Sequence, residues 1–345
     1  MKIVILEASH WHVPLYLDAL GDHGIEVVGV SDSARGPGPA IANRFGARFY
    51  ERYESMLDNE QPDFAFAFGR HCDMKAIATT LIDRKIPLAL EKPCGMNGVE
   101  VSELRQLADA QNAFVSIPLI FGFSDLPAAL TKDDPSSPWR HMAFRFIAGP
   151  IERYLDANCP WMLARDLAGG GCAINLGVHF VDLVLRLTGQ DVISVSARMT
   201  HAPDKADVEI YSSMTLETQG GQIATIETGY TYPGGTPELR DFTFALASDD
   251  AYYRSRPEGV TRTPRDGSPT RQIDIELNTD IFYAAFVRDT LQAFRTGRKP
   301  LAGLDRMERI INVIDCGYES NEQGGTAVRV RDQEARDGIT APGAG

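Results

Sequence analysis

Residues 1–20 read MKIVILEASHWHVPLYLDAL, and their reading decides the fold. An apolar run, Ile3 to Leu6, feeds a short loop and then a helix whose first turn accepts Pro14, where a missing N–H costs nothing. A strand, a tight turn and a helix at the start of a chain open a doubly wound parallel sheet, and a turn that holds a dinucleotide there carries G-x-G-x-x-G. Here Glu7, Ser9 and His12 stand at the three glycine positions.

Outward from that start, strand-like and helix-like segments alternate to about residue 121. The strands are Ile25 to Val30, Ala47 to Tyr50, Asp63 to Phe68, Ile86 to Leu90 and Ala113 to Phe121. Short apolar runs without strict alternation suit strands covered on both faces, and the helical period is clearest in DMKAIATTLIDRK and GVEVSELRQLADAQN. This is a βαβ series, so a ligand crevice at the carboxyl ends of the strands follows.

LPAALTKDDPSSPW, residues 126–139, breaks the pattern with proline, serine and charge. Beyond it WRHMAFRFIAG, VISVSARMT, VEIYSSMTLETQGGQIATIETGYTY and RDFTFALAS alternate with period two, and Gly220-Gly221 supplies a hairpin turn. A large, mainly antiparallel open sheet is expected, with helices over Cys172 to Leu187, Thr279 to Thr296 and Asp305 to Glu322 on one face. The division is therefore 1–121, 122–330 and a polar, glycine-rich tail at 331–345.

With 34 basic against 47 acidic residues the net charge is −13, which disfavours nucleic acid and anionic membranes as partners. No apolar run approaches about 18 residues and no leader precedes the first strand, so a cytoplasmic location is expected. Five cysteines without C-x-x-C spacing read as buried thiols rather than as a disulfide or zinc framework.

Two segments carry chemistry. Glu91-Lys92-Pro93 ends the fifth strand at the crevice, where a lysine can hydrogen-bond a ribose and a substrate hydroxyl; a solvated strand-end lysine is the bland alternative. In LAGGGCAINLGVHFVDLVLRLTG, three glycines, Gly169 to Gly171, precede an apolar helix. Asn175, His179 and Asp182 recur on it at spacings of four and three, one helical face.

Together these segments resemble the Gfo/Idh/MocA family of nicotinamide-dependent oxidoreductases. The resemblance spans nearly the whole chain, to AFRTGRKPLAGLDRMERIINVIDCGYESNEQGG, and implies a Rossmann-like doubly wound parallel sheet joined to a C-terminal α/β domain. It implies that Lys92 and His179 act at the substrate hydroxyl, with Asn175 at the family's aspartate position, where it orients but cannot accept a proton. Asp182 fixes the histidine tautomer, or else forms an ion pair or cap inside the domain. Trp161 and Arg165 border the implied substrate cleft, an indole for a sugar face and a guanidinium for a carboxylate or hydroxyls.

The implied cofactor is NAD or NADP. Asp32 favours NAD through the ribose 2′-hydroxyl, while Arg35 can partner a 2′-phosphate. Its expected contacts are Ala8, Ser9, His10, Trp11 and His12 after the first strand, with helix N-terminal amides drawing the diphosphate. Gly69, Arg70 and His71, in FGRHCD after the fourth strand, and Glu91 and Lys92 complete the set. His10, His12 and His71 lack an acidic or cysteine partner at ligand spacing, so no metal is expected.

The function implied is oxidation or reduction at a hydroxyl or ketone of a sugar, cyclitol or similar polyol, in a homodimer or homotetramer. The outer face of Val192 to Met199 and Ile223 to Tyr232 would supply an apolar interface. A family member without catalysis, serving as a regulatory or scaffold subunit, is the alternative.

Overall fold

Strand β1, Lys2–Leu6, is buried on both faces: Ile3 and Ile5 enter one apolar cluster, Val4 and Leu6 another. Phe64 and Phe66 against Ala65 and Ala67 repeat the division in β4, Phe64–Ala67. That double burial explains why these strands lack polar alternation. The structure is a computed structural model describing residues 1–34, 36–132, 138–202, 204–236 and 239–330. Arg35, part of the proline- and serine-rich connection, and the expected tail lie outside the described residues.

The remaining strands of the first sheet are β2 (Glu26–Ser31), β3 (Arg48–Tyr50), β5 (Leu88–Leu90) and β6 (Val115–Ser116). All are parallel in the order β3-β2-β1-β4-β5-β6, so the strand order reverses between β1 and β4. A ligand crevice belongs outside the carboxyl ends of those two strands.

Two elements are shorter than the sequence pattern predicts. The segment 113–121 yields only the two residues of β6, because Pro118 has no N–H to offer and Ile117 already donates to the Ala302 carbonyl. After β1 the helix shrinks to a 3₁₀ turn, Val13–Leu15, and a single α turn, Leu17–Leu20, that Gly21 ends.

The second sheet comprises β7 (Trp139–Ala148), β8 (Val192–His201), β9 (Glu209–Thr218), β10 (Ile223–Gly229), β11 (Arg240–Ser248), β12 (Ala251–Arg256), β13 (Gly259–Pro264), β14 (Arg271–Ile273) and β15 (Val328–Arg329). Among the described residues only β7 and β10 of this sheet pair in parallel, and Gly221, at φ 78°, turns the β9–β10 hairpin. Helices Val178–Thr188 and Leu304–Glu322 cover one face.

The opposite face is polar, not apolar as expected. Its outward positions include Ser194, Ser196 and Arg198 in β8 and Thr225 and Glu227 in β10. Arg145 lies 3.5 Å from Glu227 and 3.2 Å from Asp241 across it. One helical stretch, Arg165–Thr188, does reach membrane-span length and hydropathy, against the sequence reading, but 89% of its window is buried inside the protein.

The two sheets share their helices. Helix Phe282–Thr296, expected on the second sheet, lies instead on the first: its Phe286, Val287 and Leu291 pack on Ile3, Ile5, Phe64 and Phe66. Helix Leu304–Glu322 packs on β8 and on helix Gly98–Gln111, whose first turn is held by the Asn97 and Glu100 side chains and by Asp315. The carboxyl ends of β1, β4 and β5 are thereby fixed against the second sheet's helical layer.

Candidate active site

Glu91 and Lys92 follow β5 and are almost fully buried, with a cis bond from Lys92 to Pro93. The Glu91 carboxylate accepts from His12 Nδ1 at 3.1 Å, Tyr16 OH at 2.5 Å and the Lys92 amide at 3.2 Å. Lys92 turns the other way, and its Nζ donates to Asn175 O at 2.8 Å and Oδ1 at 2.6 Å. Burial pulls the ammonium down from 10.5 to about 8, with Glu91 opposing and Arg153 reinforcing the shift.

Asn175 sits in a π turn, Ala173–Gly177, that runs into helix Val178–Thr188. Its Nδ2 donates to Tyr154 OH and Tyr230 OH, both at 2.9 Å, which fixes Oδ1 toward Lys92. The buried Glu209 carboxylate holds the turn's start, accepting from the Gly171 and Ala173 amides at 2.9 Å each. The glycine run serves backbone packing: a Cβ on Gly171 would stand 2.1 Å from Glu209 O, and one on Gly170 1.9 Å from Tyr318 OH.

His179, one turn further on, shares a cavity of about 130 Å³ with Lys92. Trp11, His12, Arg153, Arg240, Thr279, Asp280 and Tyr283 complete its polar lining. Burial drives both His179 and His12 well below the ordinary histidine range, so both imidazoles are neutral at pH 7. Arg240 makes a two-pronged contact with Asp280, at 2.9 and 2.7 Å. Arg153, Tyr154 and Tyr230 were not found in the sequence, since ERYLD and ETGYTY carry no spacing that marks them.

The crevice between β1 and β4 is lined by His10, Phe68 and His71. His71 Nδ1 donates to Ala168 O at 2.7 Å, leaving Nε2 a bare acceptor, and burial lowers its pKa to about 4. His10 Nδ1 accepts from the His12 amide at 3.1 Å, so its Nε2 carries the proton. The Trp161 indole lies against both rings, with centroids 5.5 Å from His10 and 5.1 Å from His71. Beside it the Cys159 thiol donates to Ser9 O at 3.0 Å.

Six of the ten buried side-chain polar atoms without a partner among the described residues gather at this junction: His10 Nε2, Trp11 Nε1, Asp32 Oδ1, His71 Nε2, Arg153 Nε and His179 Nδ1. Such atoms cost about 1–3 kcal/mol each when nothing meets them, and their clustering marks a ligand site.

Family models match both halves of the chain: the oxidoreductase family's NAD-binding Rossmann fold over residues 9–118 and the GFO/IDH/MocA C-terminal domain over residues 141–249. The chain belongs to the Gfo/Idh/MocA family. A comparison with curated proteins finds no match. Solved structures share the fold. An oxidoreductase from Agrobacterium radiobacter, in complex with NAD+, L-tartaric acid and magnesium, is 15% identical, with TM-score 0.83 over 96% of this chain and 98% of that one. A levoglucosan dehydrogenase in complex with NADH and levoglucosan is 12% identical, TM-score 0.80, covering 96% and 100%. The aldose-aldose oxidoreductase of Caulobacter crescentus, complexed with glycerol, is 15% identical, TM-score 0.77, covering 95% and 99%.

The N-terminal half of this Gfo/Idh/MocA chain is thus an NAD-binding Rossmann domain, and its residues fit the cofactor at both ends. Asp32, the residue after β2, has a buried Oδ1 without a partner among the described residues, an acceptor for a ribose hydroxyl, while Oδ2 is held by Ser9 Oγ at 2.9 Å and the Gly38 amide at 3.0 Å. The unmatched donor of His10 and acceptor of His71 suit a carboxamide or ribose. Glu7 keeps the left-handed turn that the first glycine supplies, at φ 55°, and its carboxylate accepts from Ser33 Oγ at 2.5 Å.

The diphosphate cradle departs from expectation. The amides of Ala8, His10, His12 and Val13 already bond to Ser31 O, Glu7 O, His10 Nδ1 and His10 O. The 3₁₀ turn that follows gives no helix N-terminus of useful length.

Other sequence candidates lie elsewhere. Asp182 turns away from His179 to Arg186, at 2.7 Å, and Arg306, so it fixes no tautomer. Arg165 lines a separate shallow cleft with Met96 and Asn97 and reaches Glu322 at 3.8 Å. Gly69 is there for packing, a Cβ meeting Ile77 Cδ1 at 2.4 Å, and Arg70 pairs with Asp73 at 2.6 Å in the next turn. Among the described residues no three His, Cys, Asp or Glu side chains are grouped to hold a metal.

Proposed function

We propose that this chain catalyses NAD(P)-linked oxidation or reduction at a CH–OH carbon of a sugar, cyclitol or similar polyol, with NAD preferred. The observation that carries the reading is the buried Lys92, facing one cavity with His179 at the carboxyl end of β5. Bound nicotinamide supplies the hydride acceptor. Lys92, with a pKa near 8, supplies a base within reach of neutral pH. In its neutral form Nζ takes the hydroxyl proton, and the two Asn175 oxygens hold the ammonium that results. Neutral His179 hydrogen-bonds the same hydroxyl, and Tyr154 and Tyr230 keep Asn175 in place.

The named substrates of the levoglucosan and aldose enzymes support a polyol. A homodimer or homotetramer in the cytoplasm belongs to the same reading.

The test is a calorimetric titration with NADH and NADPH, then turnover on a polyol panel by wild type and Lys92→Ala. Micromolar NADH binding and a loss of about 10²–10⁴ in turnover for the variant are expected. No nucleotide binding at millimolar concentration, or unchanged turnover in Lys92→Ala, overturns the proposal.

A further inference from the structure

We infer that the substrate of this cavity carries one anionic group, a carboxylate, and that Arg153 receives it. The inference rests on the reading of the Lys92 cavity as the substrate site, and it deepens that reading from polyol to polyhydroxy acid. Arg153 is unusual among the arginines at this junction. Its guanidinium lies over three aromatic rings, 4.6 Å from the Tyr154 centroid, 5.1 Å from Trp11 and 5.4 Å from Tyr230. It donates to Tyr154 OH at 2.5 Å, and its buried Nε has no partner. Among the described residues no carboxylate forms an ion pair with it; Asp280, which acts on it from further off, is paired with Arg240. Arg240 on the same cavity has Asp280, and Arg186 and Arg306 share Asp182.

A half-buried guanidinium stacked on three rings, with its Nε shut off from solvent and unpartnered, is a costly arrangement for structure alone. The aromatic box holds its plane fixed, which suits the planar, two-pronged contact that arginine makes with a carboxylate.

The charge count at the cavity sets the ligand's charge. Of the groups that line it, Arg153 and Arg240 are cationic against the carboxylate of Asp280, the two histidines are neutral, and Lys92 is neutral in the form that accepts the hydroxyl proton. One positive charge is left over, which a monoanion neutralises and a phosphate dianion would overshoot. A cavity of about 130 Å³ equals the liquid volume of about four waters, room for the carboxylate and reacting hydroxyl carbon of a hydroxy acid rather than for a bulkier group. With the carboxylate on Arg153, hydroxyls of the same molecule meet Lys92 and His179.

The experiment measures binding to the purified full chain by calorimetry, with and without saturating NADH. Acids are paired with neutral counterparts: D-gluconate with D-glucitol, D-glucuronate with D-glucose, L-threonate with L-threitol. At least one acid is expected to bind about 30-fold or more tightly than its partner, and Arg153→Gln to abolish that preference. Arg153→Lys should retain part of it, and both variants should unfold at the wild-type temperature within a few degrees. Equal binding of acid and neutral partner, a preference that survives Arg153→Gln, or no acid binding at about 10 mM each overturns the inference. Tighter binding of glucose 6-phosphate than of any carboxylate overturns the carboxylate assignment. Failure of the oxidoreductase reading would instead appear as absent NADH binding with acid preference intact.

Discussion

Lys92 Nζ donates to two oxygens of a single residue, the main-chain O of Asn175 at 2.8 Å and its Oδ1 at 2.6 Å. Both contacts favour the charged lysine, yet burial outweighs them and leaves the pKa near 8. Oxidation of an alcohol needs the neutral amine. The rate of oxidation should therefore rise with pH and level off above an inflection near 8, while reduction, which needs the ammonium, should fall through the same range. Asn175→Asp puts a carboxylate beside the ammonium and raises its pKa, so the oxidation profile should move up by at least about one unit. Stopped-flow rates at saturating nucleotide from pH 6 to 10 check both. An inflection that stays in place in the variant would show that another group titrates.

Trp161 stands between the carboxyl-end loops of β1 and β4, touching His10 and His71. Those two loops border the crevice that a dinucleotide enters. Nucleotide binding should then displace the indole, and the affinity measured is reduced by the fraction of molecules with the indole out of the way. Trp161→Ala should tighten NADH by about tenfold, or about 1.4 kcal/mol, measured by calorimetry. A weakened affinity would mean that the indole instead packs on the bound cofactor.

Asp182 illustrates how a helical spacing misleads. It lies three residues after His179, but its carboxylate is taken up by Arg186 and Arg306. Asp182→Asn should leave the pH profile and kcat nearly unchanged and cost about 3 kcal/mol of stability by leaving buried charge unpaired. Urea unfolding followed by circular dichroism reads the loss, and a fall in kcat at wild-type stability would restore the tautomer role.

Much of the fold was legible because apolar period and turn chemistry are local. The alternation in β7 to β11, the Gly220-Gly221 hairpin and the three long helices all follow from residues near in sequence. The strand expected over 113–121 was not, because Pro118 and the distant Ala302 carbonyl end it. At the candidate site, motif resemblance singled out Lys92, Asn175 and His179, and the structure brings them together. Arg153, Tyr154 and Tyr230 were missed because they meet only when the end of β10 and the short helix after β7, Glu152–Asp156, close on Asn175, from which Tyr154 and Tyr230 lie 21 and 55 residues away in the chain. The fate of the β1 loop amides was equally hidden, since whether they face a phosphate or a neighbouring carbonyl depends on backbone turns that the residue types allow either way.

Glu209 lies outside the sequence candidates, yet the position of Asn175 depends on it. Its carboxylate accepts from the Gly171 and Ala173 amides and from Tyr318 OH, all at 2.9 Å, at the start of the π turn. Gly170 and Gly171 permit that approach, since a Cβ at either would collide. Removing the carboxylate strands two buried amides and a phenol, so Glu209→Ala should destabilise the protein by about 3 kcal/mol or more. Released from its anchor, the turn no longer presents Oδ1 of Asn175 to Lys92. Glu209→Ala should therefore lower kcat more than it raises KM for the polyol, with part of the loss restored in Glu209→Gln, which keeps one acceptor. The discriminating readout is the oxidation pH profile in folded variant protein. A purely structural Glu209 would leave the inflection near 8 in place, whereas loss of the Asn175 oxygens, which favour the ammonium, should move it to lower pH.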